Sequence, residues 1–62
     1  MSATSDFYLA RAAECARDAA QATLGNVRER SLRSEASWLA MANQLLRAER
    51  MRAEREAEKQ AD

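Results

Sequence analysis

The chain has 62 residues, with one Cys, no His and no Pro, and ten Lys plus Arg against ten Asp plus Glu. A chain this short forms one domain at most and buries only about 60% of its unfolded surface, so it needs a disulfide, a metal or a partner to hold its fold. Cys15 alone cannot bridge internally, and without His or a second Cys no zinc site of ordinary spacing can be built; the balanced charge supplies no global field for nucleic acid or an anionic membrane.

Composition points to helix. Ala, Arg, Glu and Leu dominate, Gly occurs once, and the aromatics are Phe7, Tyr8 and Trp38. These dominant residues lose least on entering a helix, and strands are poorly supported. No run reaches the roughly 18 apolar residues that a membrane span needs, and the start MSATSDFYLAR lacks the basic-then-apolar order of a signal peptide. A cytoplasmic protein without membrane association is therefore expected. Charge is uneven along the chain: residues 1–24 hold two Arg against three acids, residues 25–52 six Arg against three Glu, and residues 53–62 two bases against four acids. The mildly basic middle is too weak to form a nucleic-acid footprint by itself.

A first helix is predicted over about residues 5–24, with Ser5 as N-cap, Thr4 as its competitor, and Asp6 in the first turn against the positive helix end. Tyr8, Ala12, Cys15, Ala19 and Ala22 recur at spacings of four and three, the seam that one helix shows to another. Leu9, Ala13, Ala16 and Ala20 widen that seam on one side, while Asp6, Glu14, Arg17 and Gln21 form the solvated face. Gly25 stands where the pattern stops and suits the left-handed residue that closes a helix. Asn26 then offers a cap to the next helix, with Glu29 at capping-box distance. So short a link folds consecutive helices back as antiparallel neighbours.

The second helix is predicted over about residues 26–58. Leu32, Leu39 and Leu46 lie seven apart, with Trp38, Ala42 and Leu45 beside them and Ala36 and Met41 at the margins; Arg30, Arg33, Ser37, Gln44 and Arg47 occupy the reverse. Folding about Gly25 and Asn26 sets Trp38 near Ala12, and Leu45 and Leu46 near Phe7 and Tyr8, so that bulky residues meet small ones. Residues 49–62 form a charged helical extension without a core. There Arg50 with Glu54, and Arg52 with Glu56, are worth about 0.2–0.5 kcal/mol each, and the end frays before Asp62.

No constellation for catalysis is present: there is no His base, no Gly-rich phosphate loop and no Ser/His/Asp set. The protein is read as a non-enzyme with no cofactor and no metal. Cys15, weighed as a reactive thiol, an intersubunit disulfide or a small filler, reads as filler, since no basic pair flanks it. Glu35 is anomalous within the apolar arc of the second helix and is expected to pair with Arg11 or with an Arg of another chain, because an unpaired buried charge is costly. Trp38 reads as core rather than as a stacking platform or a partner's hot spot. Arg28, Arg30, Arg33 and Arg47 are the candidates for polar or phosphate contacts, although Glu residues interleave with them.

The segments YLARAAECARDAAQAT and NVRERSLRSEASWLAMA resemble a pattern in short uncharacterised proteins of alphaproteobacteria. The matching positions are Tyr8, Arg11, Ala12, Glu14, Cys15, Val27, Arg28, Leu32, Trp38, Leu39 and Ala40. The resemblance implies a bacterial helical hairpin and brings no known activity. The chain departs from the pattern at Leu24, Gly25 and Asn26, which replace an Asp-Pro type of link, and in its long charged tail.

The expected protein is thus an all-α, two-helix antiparallel hairpin that dimerises into a four-helix bundle and acts by binding another protein. Its interface is expected at Tyr8, Ala12, Cys15, Leu32, Glu35, Trp38, Leu39, Ala42, Leu45 and Leu46. Two other readings are a nucleic-acid-associated accessory protein using the Arg face of the second helix, and a small phage-type inhibitor or regulator that masks a partner's site with the charged helix.

Overall fold

A computed structural model describes residues 3–61 as two α-helices, α1 over Ala3–Gln21 and α2 over Gly25–Ala61. The predicted all-α antiparallel hairpin is the fold observed. At 1.5 Å per residue the 19 residues of α1 span about 28 Å and the 37 of α2 about 55 Å. The molecule is accordingly a rod of 58 × 15 × 12 Å in which α2 runs well beyond its neighbour.

The break between helices falls at residues 22–24, three residues earlier than the Gly25–Asn26 pivot expected from the sequence. Ala22 closes α1 with a tightened last turn, its N–H donating to the Ala19 carbonyl at 3.3 Å. The Leu24 carbonyl accepts the first bond of α2, from the Arg28 N–H at 3.1 Å, so Leu24 holds the cap position and Gly25 the first helical one. Gly25 has no positive φ and does not act as a left-handed terminator. The Asn26–Glu29 capping box does not form among the described residues, because Asn26 already lies inside α2 and its Oδ1 accepts from the adjacent Val27 N–H at 3.0 Å. What satisfies the end of α1 is Arg28, whose guanidinium Nη2 reaches back to the Ala22 carbonyl at 3.0 Å.

The start of α1 also differs from expectation. Thr4 and Ser5 are helical rather than capping, and Ser5 is fully buried. Ser5, Ala12 and Ala19, spaced by seven, form the interior row of α1, and Ala42 is the buried residue of α2. With such small side chains at the seam the two backbones can approach more closely than leucines would allow. Flanking this row, Tyr8, Cys15 and Ala22 are half-buried, as their spacing predicted.

On α2 the seam is Ser31, Glu35, Trp38, Ala42, Leu45 and Glu49, at alternating spacings of four and three. The Leu32–Leu39–Leu46 row is its flank: Leu46 is half-buried, but Leu39 is 37% and Leu32 48% exposed. The earlier break also shifts the register by about one turn. Trp38 sits against Phe7 and Tyr8 rather than at Ala12, with ring centroids 5.9 and 5.5 Å away. Leu45 and Leu46, seven residues further along α2, lie beyond the level of Phe7 and Tyr8 by the rise of two turns.

Residues 51–61 are helical and fully exposed, as a solvated extension requires. The expected Arg50–Glu54 and Arg52–Glu56 pairs do not close, since the one ion pair among the described residues is Arg11–Glu14. Arg preceding Glu is the weaker orientation of a four-apart pair on a helix. Helix persists through Ala61, past the expected end near residue 58; Asp62 lies outside the described residues.

Candidate interaction site

The hairpin presents two unlike flanks. On the first, Phe7, Tyr8 and Trp38 form a mutual cluster, with Phe7 meeting the indole edge-on at an interplanar angle of 87°. The Arg11 guanidinium lies 5.6 Å from the Trp38 ring centre and is held by Glu14 through its Nη1. The cation–π contact contributes about 0.5–1 kcal/mol at such an exposed site. These contacts make Trp38 a tie between helices. They also engage Arg11, and the predicted Arg11–Glu35 pair is absent among the described residues. Cys15 is half-buried on the same side of α1 and borders a shallow charged hollow with Arg11, Glu14, Arg17 and Asp18.

The second flank is apolar across both helices. Ala16, Ala19 and Ala20 of α1 line a shallow groove with Arg28, Leu32 and Glu35 of α2. Helical spacing places Leu9 and Ala13 on the Ala16–Ala20 side, and Leu39 on the Leu32 side. The result is a floor of alanines beside a ridge of leucines, bordered by one cation and one anion. Glu35 is half-buried here and makes no ion pair or hydrogen bond among the described residues. In the link between the helices Leu24 is 62% exposed. Neither Leu24 nor the double duty of Arg28 was legible from periodicity, because both depend on where the chain turns.

The four arginines considered for phosphate contacts do not share a face. Arg30 and Arg33 border a hollow with Trp38 and Met41, Arg28 lines the opposite groove, and Arg47 is exposed beyond both. Among the described residues no three His, Cys, Asp or Glu side chains are grouped to hold a metal ion, and no helix is long and apolar enough to cross a membrane.

Comparison with family models, curated proteins and solved structures returns no match.

Proposed function

We propose that the protein is a non-enzymatic helical hairpin that pairs with a second copy through its alanine–leucine flank, forming a four-helix bundle, and serves as an adaptor or regulator by binding another protein. The observation that carries this reading is the surface left uncovered. The accessible surface is 4919 Å², whereas a compact monomer of 6.9 kDa exposes about 4,000 Å². Part of that excess belongs to the exposed extension at residues 51–61 and part to the uncovered flank. Leu32 and Leu39 supply its apolar centre.

Light scattering on the purified chain is the test: it should give twice the monomer mass, and Leu39→Ala should lower the dimer fraction. A Leu39→Ala protein that stays dimeric and equally stable overturns the arrangement.

The unpartnered charged helix favours a second reading, in which residues 49–62 mask a site on a partner protein. Removing them would then abolish partner binding while leaving the hairpin's helicity intact. The nucleic-acid reading is weaker, because the separation of Arg28 from Arg30 and Arg33 leaves no continuous basic track.

A further inference from the structure

Resting on the dimer reading above, we propose that the second copy docks antiparallel about a two-fold axis that crosses α2 at Leu32 and α1 at Ala16, with Arg28 of each chain paired to the partner's Glu35. Three observations meet at this point.

The first is the gradient of exposure along the leucine row. Leu46 is half-buried, Leu39 is 37% exposed, Leu32 48% and Leu24 62%. Along this row the uncovered surface therefore grows toward the loop end, whereas Phe7 and Met51 are exposed away from the row.

The second is charge. The two charged residues lining the apolar groove are Arg28 and Glu35, which lie on either side of Leu32 and are of opposite sign. A two-fold axis requires each surface to complement itself, so that residue i meets j and j meets i. An axis midway between positions 28 and 35 meets that condition twice, placing a cation over an anion at both ends of Leu32. It also brings Leu39 to the level of the partner's Leu24, the exposed leucine of the link. An axis at Leu39 instead sets Leu32 over the partner's Leu46 and Arg28 opposite the partner's Arg50, a like-charge contact.

The third is shape on the other helix. Ala16 lines the same groove as Leu32, so an axis crossing at Leu32 passes close to Ala16 on α1. Ala13 then faces the partner's Ala20, and small residues allow the two copies of α1 to approach closely. Every helix in the assembly has antiparallel neighbours.

Charge reversal tests the register. Arg28→Glu alone sets two anions face to face at both ends of the axis, and Glu35→Arg alone sets two cations; each should weaken self-association by about tenfold or more. Because Arg28→Glu also removes the bond to the Ala22 carbonyl, the decisive step mixes the two single variants in equal amounts. Only contacts between chains can be repaired by mixing, and the mixed pair should recover a dissociation constant within about threefold of the unmodified chain. If the unmodified chain is dimeric and mixing restores nothing, the proposed register is wrong while the dimer stands. If the unmodified chain is monomeric at every concentration, both fall together.

Discussion

Gly25 occupies the first position of α2 without a positive φ, and a Cβ built there meets nothing within 4 Å. Its conformational freedom is therefore spent only in the unfolded chain. Gly25→Ala should stabilise the protein by about 0.4–1 kcal/mol, read as a higher urea midpoint at unchanged slope. A left-handed terminator at this position would give the opposite sign, so one measurement decides between the two accounts of the turn. Trp38 stands at the other extreme of consequence, since it touches Phe7, Tyr8 and Arg11 across the seam. Trp38→Ala removes a large half-buried surface and two ring contacts, and should cost about 2–4 kcal/mol, followed by far-ultraviolet circular dichroism during denaturation. A loss under about 0.5 kcal/mol, the range of ordinary surface substitutions, would mean that the aromatic cluster does not hold the helices together.

At the level of the elements, the interior row of α1 consists of small residues, and added volume there should act oppositely to volume removed from the flank. Ala12 is 3% exposed, so Ala12→Leu must push the helices apart and should destabilise by about 1–3 kcal/mol. Leu32→Ala should scarcely alter the hairpin's own helicity and should act on association instead; equal effects of the two changes on hairpin melting would contradict the division between seam and flank. That division explains how far the sequence could be read. The period of Tyr8, Ala12, Cys15, Ala19 and Ala22 located the face of α1, because an alanine-rich helix offers one such row. On α2 the sequence placed Trp38, Ala42 and Leu45 on the right side but centred the seam on the leucine heptad, whereas Leu32 and Leu39 stand at its exposed flank and Ser31 and Ala42 lie in the seam. The turn was misplaced as well. Gly25 is compatible with either end of a helix, and the backbone bonds that decide, Ala22 to Ala19 and Arg28 to Leu24, leave no mark on side-chain pattern. A three-residue error at the turn then moved every cross-helix neighbour by about one turn, while the expected partner of Glu35 was taken by Glu14 and Trp38.

For the whole molecule, the radius of gyration of 16.1 Å exceeds the roughly 11 Å of a compact domain of this length, and the excess comes from α2 running past α1. The length of the dimer is therefore a sensitive measure of where the two copies cross. Copies overlaid about the middle of α2 would form a rod hardly longer than one hairpin, about 60 Å. Crossing at Leu32 puts the axis near the loop end, so the charged extensions point outward in opposite directions and the ends of the two helices lie about 90 Å apart. Small-angle scattering separates these shapes without any substitution, through the maximum dimension of the particle. A dimer near 60 Å would place the contact further along α2, beyond the Arg28–Glu35 pair, whereas one near 90 Å leaves residues 51–61 of both chains free at the two poles, where a bound protein would have access to them.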